Sequence, residues 1–127
     1  MSFKILVVED NPDSRNLLHF LLTTKGFNAT TAVDGAEGFY MAKVEKPDLV
    51  ITDLMMPNVD GIELIKQIRA EPEIANVPIL VYTAYSTETV EPAIEAGANK
   101  FFYKPVNLDG MLDYIHEILT QSNKPNE

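Results

Sequence analysis

The sequence contains five short apolar runs, and side chains that could do chemistry stand at the ends of four of them. Acidic residues come after the first and third runs, a hydroxyl ends the fourth and an amine follows the fifth: Glu9, Asp10, Asp53, Thr83 and Lys104. Taken singly, each has an ordinary explanation as a solvated helix cap, a strand residue or a surface lysine. Together in one place, three carboxylates would need a cation, because like charges that close cannot all ionise comfortably at neutral pH.

A hard divalent ion such as Mg²⁺ meets that need, since it binds carboxylates, backbone carbonyls and water. The other groups then suit phosphoryl transfer. One carboxylate can act as the nucleophile and form an acyl phosphate, the lysine can neutralise phosphoryl oxygens, and the hydroxyl can hydrogen-bond one of them. The residue types therefore predict a metal-dependent phosphoryl site, provided that the fold brings them together.

The elements that would position these residues alternate along the chain. Apolar runs rich in β-branched residues predict strands at 4–8, 27–33, 49–51, 78–82 and 99–103. Helical spacing of apolar residues predicts helices at 14–25, 36–45, 61–69, 88–96 and 108–121. This alternation requires an α/β fold, a doubly wound parallel five-stranded sheet with helices on both faces. The carboxyl ends of its strands meet at one edge, where such sheets bind ligands.

The composition excludes several kinds of chemical site and disfavours one class of partner. The 127 residues suffice for one domain with a buried core, and none is cysteine, which excludes thiolate metal sites and cysteine nucleophiles. Nineteen acidic residues against ten basic ones give a net charge of -9, which disfavours binding to nucleic acid. His19 and His116, far apart on predicted helices, are interpreted as partner-facing or solvated residues.

The lengths of the apolar runs also indicate whether the chain has a membrane-spanning helix or a signal peptide. None approaches the roughly 20 residues that a spanning helix needs. The first run, residues 5–8, is too short for a signal peptide and is followed at once by acid. We therefore expect a cytoplasmic protein without membrane contact.

At this point the chain resembles the response-regulator receiver domain of two-component signalling, in its single-domain, CheY-like type. Five motifs in order carry the resemblance: Glu9-Asp10, the DLMMP segment at 53–57 with Asp60-Gly61, Thr83-Ala84, Ala96-Gly97-Ala98 and Lys104-Pro105. The resemblance implies a flavodoxin-like (βα)5 fold with strand order 2-1-3-4-5. It also implies a receiver domain at residues 1–121 and a flexible tail at 122–127.

The resemblance assigns the metal ligands. It implies that Asp53 is the phosphoacceptor, and that Asp10 and Asp53 bind Mg²⁺ (or Mn²⁺) together with the backbone carbonyl of Met55. Glu9 would bind the ion through water.

The resemblance likewise assigns the phosphoryl contacts and a switch. Thr83, Ala84 and Lys104 would bind the phosphoryl group, and the bond to Pro105 is expected to be cis. Phosphorylation would draw Thr83 inward and let the ring of Phe101 turn in behind it. The alternative is that Phe101 is an ordinary core residue, with Phe102 or Tyr103 facing outward.

The implied function is a phosphoacceptor response regulator of a two-component system or phosphorelay. The phosphoryl group would come from a phosphohistidine on a sensor histidine kinase or a histidine phosphotransfer protein. A downstream protein would bind the face formed by the fourth helix, fifth strand and fifth helix, and a phosphorylation-dependent homodimer is a further partner that the family allows. The domain would catalyse its own phosphorylation and dephosphorylation without being a conventional enzyme. No DNA-binding output domain is expected after the fifth helix.

Two features distinguish this sequence from others of the type. Met55 and Tyr85 stand two residues after Asp53 and Thr83, and neither can orient an attacking water, so we expect slow hydrolysis of the acyl phosphate. Pro92 lies in the predicted fourth helix, which should therefore start late, near 88–91, or be distorted before residue 93.

Three other functions are alternatives to the receiver. A flavin-binding module would need a phosphate-cradling loop after the first strand, but residues 9–13 there are mostly acidic. A metal-dependent phosphatase commonly has a second acid two residues after its nucleophile, where this chain has Met55. A degenerate receiver that serves only as an interaction scaffold remains the alternative.

Overall fold

The computed structural model describes residues 2–56, 59–84, 87–104 and 108–122. Strands and helices alternate along these ranges. The strands are β1 (Lys4–Val8), β2 (Asn28–Ala32), β3 (Leu49–Thr52), β4 (Ile79–Thr83) and β5 (Lys100–Tyr103). The helices are α1 (Pro12–Thr24), α2 (Gly35–Glu45), α3 (Gly61–Ala70), α4 (Thr87–Ala96) and α5 (Leu108–Ser122). All described pairings are parallel and give the order β2-β1-β3-β4-β5, which confirms the predicted fold class and strand order.

Alternate residues of the central strands supply two apolar cores, one on each face of the sheet. The first core packs residues of β1, β3 and β4 against α2, α3 and α4. The second packs the intervening residues of the same strands against α1 and α5. Because β1, β3 and β4 are covered on both faces, their sequences are nearly continuous apolar runs. The half-exposed β2, which carries threonines beside its alanines, lies at an edge of the sheet.

Helix α1 shows which of its apolar residues face the sheet. Leu18 and Leu22 are buried, whereas Leu17 is 46% exposed. Adjacent helical residues are separated by about 100°, and in α1 this rotation turns Leu17 away from the sheet while Leu18 faces it. In α5 the apolar residues that face the sheet are buried or half-buried: Met111, Leu112, Ile115, Ile118 and Leu119.

Polar side chains fix the starts of the first three helices. Asn11, Asp34 and Asp60 are the N-caps of α1, α2 and α3, and each accepts a hydrogen bond from the backbone N–H three residues later. Helix α1 begins at Pro12, two residues before the predicted start, because proline is well suited to the first helical position. Gly26, which follows α1, has φ +95, a left-handed conformation that glycine adopts readily after a helix.

Helices α4 and α5 also differ from their predicted bounds. Helix α4 begins at Thr87, one residue before the predicted range of 88–91, and Pro92 lies inside it. Pro92 is exposed, and a proline there removes one helical hydrogen bond without ending the helix. Helix α5 extends to Ser122, one residue into the predicted tail, whereas residues 123–127 lie outside the described part of the chain.

Arg69, in the last turn of α3, joins the loop before β4 to the loop before β5. Its Nη1 donates to the carbonyls of Ala75 (2.8 Å) and Val77 (2.7 Å). Its Nε and Nη2 donate to the Gly97 carbonyl at 3.1 and 2.7 Å, and Nη2 also reaches Asn99 Oδ1 at 3.0 Å. One guanidinium therefore holds the C-terminal end of α4 against α3.

We expect Arg69→Met to lower the free energy of unfolding by about 2–3 kcal/mol, because several carbonyls lose a charged donor at once. Urea unfolding provides the measurement. Lys66→Met removes an equal charge from an exposed position of the same helix and should change stability by less than about 0.5 kcal/mol. Equal losses for the two variants would contradict this role of Arg69.

Candidate functional site

The sheet itself places the site residues at the carboxyl ends of its strands. The backbone N–H of Glu9 donates to a carbonyl of β2 at 3.1 Å, and that of Asp53 donates to a carbonyl of β1 at 3.2 Å. The N–H of Lys104 donates to a carbonyl of β4 at 2.8 Å. Each residue thus extends the hydrogen-bonded ladder by one step, which fixes its backbone before its side chain makes any contact.

The side chains of these residues meet in one cluster. Lys104 Nζ lies 2.7 Å from Glu9 Oε1 and 2.9 Å from Asp53 Oδ2. Oxygens of Glu9, Asp10 and Asp53 lie within 4.8 Å of one another. Glu9 and Asp53 are 2% and 8% exposed, whereas Asp10 is exposed. The predicted convergence of three carboxylates and an ammonium is therefore present.

Backbone amides hold the second oxygen of the two buried carboxylates. Asp53 Oδ1 accepts from the N–H of Leu54 at 2.6 Å and of Met55 at 3.3 Å. Glu9 Oε2 accepts from the N–H of Asn11 at 3.1 Å. In both carboxylates one oxygen is fixed by the chain and the other by the lysine, so each presents a defined orientation.

The cluster has more negative charge than the lysine can balance. Burial raises the pKa of the Glu9 carboxyl above its ordinary value, although hydrogen bonds from Lys104 and Asn11 oppose the shift. Burial alone would lower the pKa of Lys104, but its hydrogen bonds to Glu9 and Asp53 outweigh that effect and raise it. With one ammonium among three carboxylates, the cluster keeps an excess of negative charge, which a further cation would balance.

Arg15 also contributes to the site, a role that the sequence analysis did not predict. Its Nη1 donates to the backbone carbonyls of Glu9 at 2.9 Å and Asp10 at 3.3 Å. The guanidinium thereby holds the acidic loop without neutralising its carboxylates. The available signal was an arginine in the first turn of the helix that follows the acidic loop.

The residues assigned to the switch lie on one face of the sheet. Val81 pairs with Phe101 in the parallel register, and Thr83 lies two residues further along β4. Thr83 is fully buried, Ala84 is exposed, and Phe101 is half-buried against the first core. Phe102 packs against the second core, so of the two residues expected to face outward in the alternative interpretation, only Tyr103, 41% exposed, does so.

Of the remaining predicted residues, the structure describes some and not others. Met55 follows Asp53 by two positions and is 51% exposed. Tyr85 and Pro105, and with Pro105 the predicted cis bond, lie outside the described residues. His19 and His116 are exposed on α1 and α5, in agreement with their interpretation as solvated or partner-facing.

Comparison with known proteins identifies the family. Residues 5–116 match the response regulator receiver domain. This chain belongs to that family. The receiver domain is the part of two-component response regulators that interacts with histidine kinases and downstream targets.

Individual relatives support the assignment. The receiver domain is 41% identical over 123 residues to the alkaline phosphatase synthesis transcriptional regulatory protein PhoP of Bacillus subtilis, covering 96% of this chain and 50% of PhoP. It is 38% identical over 104 residues to an uncharacterized 14.6 kDa protein of Leptolyngbya boryana, covering 81% of this chain and 79% of that protein. The chain spans about half the length of the KdpE, PhoP and RpaA relatives and 8% of a Dictyostelium discoideum hybrid signal transduction histidine kinase.

A solved structure agrees with the fold. The chemotaxis protein CheY4 of Vibrio cholerae superimposes with a TM-score of 0.87 at 29% identity, and the match covers 94% of this chain and all of CheY4. Among the described helices of the receiver domain, none is long and apolar enough to span a membrane.

The acidic cluster fits the metal that receiver domains use. Proteins of the family generally bind Mg²⁺ through an acidic pocket. Here Glu9, Asp10 and Asp53 offer hard oxygen ligands close together, two of them buried. These residues could hold a metal ion.

Proposed function

We propose that this receiver domain is a phosphorylation-controlled switch, in which Asp53 accepts a phosphoryl group from a phosphohistidine. The observation that carries the proposal is the shared ammonium of Lys104, 2.9 Å from Asp53 and 2.7 Å from Glu9 at the carboxyl edge of the sheet. A carboxylate nucleophile beside a fixed positive charge and two further acids has the parts that phosphoryl transfer needs.

The transfer itself is a displacement at phosphorus. A carboxylate oxygen of Asp53 forms the new P–O bond, and the P–N bond to the donor histidine breaks. The electron pair of that bond passes to the imidazole nitrogen, which leaves as neutral imidazole after taking up a proton. Lys104 stabilises charge on the phosphoryl oxygens as the bond order changes. The domain is the recipient in this reaction and is consumed by it, so we count it as a substrate with catalytic parts and not as a turnover enzyme.

The metal would be held by Asp10, Asp53 and the backbone carbonyl of Met55, and Glu9 would bind it through water. When bound, Mg²⁺ or Mn²⁺ supplies positive charge that neutralises phosphoryl oxygens. The chain contributes the orientation: backbone amides hold one oxygen of each buried carboxylate, so little reorganisation is needed when the group arrives.

The switch would run through Thr83 and Phe101. A phosphoryl group on Asp53 offers new acceptors to the Thr83 hydroxyl and to the exposed backbone at Ala84. Movement of Thr83 would open space on the face of the sheet that it shares with Phe101, next to α4. Partners would be a sensor histidine kinase or phosphotransfer protein and a downstream protein at the α4-β5-α5 face, or a second phosphorylated copy. A cytoplasmic location fits such partners.

The test is the intact mass after incubation with a small phosphodonor, with and without Mg²⁺. We expect one adduct of about 80 mass units on the wild type with Mg²⁺. Asp53→Asn should abolish the adduct, and Asp109→Asn, at an exposed position on α5, should keep it. Absence of an adduct from wild type, with no effect of Mg²⁺ on stability, would favour the scaffold function instead.

Met55 provides a prediction about phosphate lifetime. Neither Met55 nor Tyr85 can orient a water molecule, whereas a carboxylate at residue 55 could. We therefore expect Met55→Glu to shorten the lifetime of the acyl phosphate about tenfold. Loss of the adduct with time, followed by mass, gives the rate, and Ile94→Glu at another exposed apolar position should leave it unchanged. Rapid, Mg²⁺-dependent hydrolysis in the wild type would contradict the expectation.

A further inference from the structure

Tyr82 lies beside the site without belonging to the acidic cluster. It precedes Thr83 on β4 but points to the opposite face of the sheet, into the second core beneath α1 and α5. Its side chain is 7% exposed. Lys104 Nζ lies over the ring, 5.4 Å from its centroid. The ammonium therefore has three neighbours that attract it: two carboxylates and the face of an aromatic ring.

We propose that Tyr82 is a positioning residue, whose ring face keeps the Lys104 ammonium at the phosphoryl site. The proposal deepens the phosphoacceptor function and rests on it for its catalytic consequence. The contact between ring and ammonium stands independently, because it is present in the protein alone.

Lys104 needs a partner besides Glu9 and Asp53 because these two carboxylates can also bind other groups. Glu9 and Asp53 hold Lys104 through oxygens that a divalent ion or a phosphoryl group would also engage. Their attraction for the lysine therefore weakens when the site is in use. The negative face of the ring binds no Mg²⁺, and burial raises the pKa of the Tyr82 hydroxyl above its ordinary value, so the ring stays neutral and its attraction persists. Burial of Tyr82 and the 17% exposure of the Lys104 side chain remove most competing water, which strengthens that attraction.

The simpler role for Tyr82 is that of an apolar core residue that happens to touch the lysine. Two substitutions separate the roles. Tyr82→Phe keeps the ring face and removes the hydroxyl, whereas Tyr82→Leu keeps an apolar side chain and removes the ring. Positioning of Lys104 requires that phenylalanine replaces tyrosine well and leucine does not. It also requires that the effect of leucine depends on the presence of Lys104.

The first measurement needs no metal and no phosphodonor. Urea midpoints in EDTA are compared for wild type, Tyr82→Phe, Tyr82→Leu, Lys104→Met and the Tyr82→Leu/Lys104→Met double variant. We expect Tyr82→Leu to lower the midpoint, and to lower it less when Lys104 is already Met. Equal losses in both backgrounds would show a core residue only and overturn the proposal. Should Tyr82→Leu not fold, Tyr82→Met tests the same loss of the ring.

The second measurement is the rate of labelling by a small phosphodonor with Mg²⁺. We expect Tyr82→Leu to slow labelling about fivefold and Tyr82→Phe to stay within about twofold of wild type. In the Lys104→Met background, Tyr82→Leu should cause no further slowing. Labelling of Tyr82→Leu at the wild-type rate, or equal slowing by phenylalanine and leucine, would overturn the proposal. Failure of wild type itself to label, with no effect of Mg²⁺ on its stability, would overturn the phosphoacceptor function, and the metal-free midpoints would still decide whether ring and ammonium are coupled.

Discussion

Replacement of Lys104 by methionine is expected to destabilise the metal-free protein by about 2–3 kcal/mol, and Mg²⁺ is expected to restore most of that loss. The lysine is the cation that contacts Glu9 and Asp53, both of which are almost fully buried. Without it the two carboxylates repel each other in a poorly solvated site. A divalent ion bound to the same oxygens replaces the missing charge, so the variant should respond to Mg²⁺ more strongly than wild type does.

Urea unfolding at neutral pH, in EDTA and in Mg²⁺, measures both parts of this result. Lys46→Met is the matched control, since Lys46 also forms an ion pair, with Glu73 at 3.3 Å, but both side chains are more than half exposed. That pair should contribute less than about 0.5 kcal/mol and show no dependence on Mg²⁺. A Lys104→Met variant as stable as wild type in EDTA, or one unaffected by Mg²⁺, would show that the acidic cluster is not a shared cation site.

Replacement of Gly61 by alanine is expected to lower the free energy of unfolding by about 3 kcal/mol. Gly61 is the first residue of α3, and its N–H donates to the Leu54 carbonyl at 2.9 Å. A Cβ atom there would press on the Asp53 carbonyl oxygen and lie 2.7 Å from the Leu54 Cα. Both neighbours are backbone atoms, which cannot rotate away as a side chain can. The segment that carries Asp53, the proposed phosphoacceptor, would have to shift, so phosphorylation should also slow.

Gly26→Ala is the control that separates crowding from backbone conformation. Gly26 has φ +95 but nothing within 4 Å of an added Cβ, whereas Gly61 is crowded without a left-handed backbone. The control should therefore cost about 1 kcal/mol from conformational strain alone and leave phosphorylation unchanged. Urea midpoints and labelling rates of the two variants give the comparison. If Gly61→Ala cost no more than Gly26→Ala, the close approach of α3 to Asp53 would not constrain the site.

Much of the site could be predicted because the topology of a parallel sheet brings the site residues together. In a parallel sheet the residues that follow the strands must share an edge, so the positions of Glu9, Asp53 and Lys104 in the chain were sufficient to bring them together. The order of the strands came from the family resemblance, which adds what alternation alone does not determine.

The missed features depend on contacts that leave no local pattern. Arg69 binds carbonyls of loops that are separate in sequence, and neither a loop carbonyl nor the direction of a long side chain is visible in the chain. Tyr82 looked like one more apolar residue of β4, because its relation to Lys104 depends on the register of β4 with β5. Pro92 was expected to delay α4, but an exposed proline can remain inside a helix when the other helical bonds are kept.

The ion pair between Lys104 and Glu9 joins residues that are 95 positions apart, and Asp53 lies 51 positions before Lys104. During synthesis at about 5–20 residues per second, the lysine is added roughly 5–19 seconds after the first acid. A growing chain therefore carries the acids before it has the amine that balances them, and contacts of such long range form late in folding. Only a molecule whose sheet has closed as far as β5 brings the lysine to the two acids. Under the proposed function, unfinished copies would therefore not compete with finished ones for phosphoryl groups.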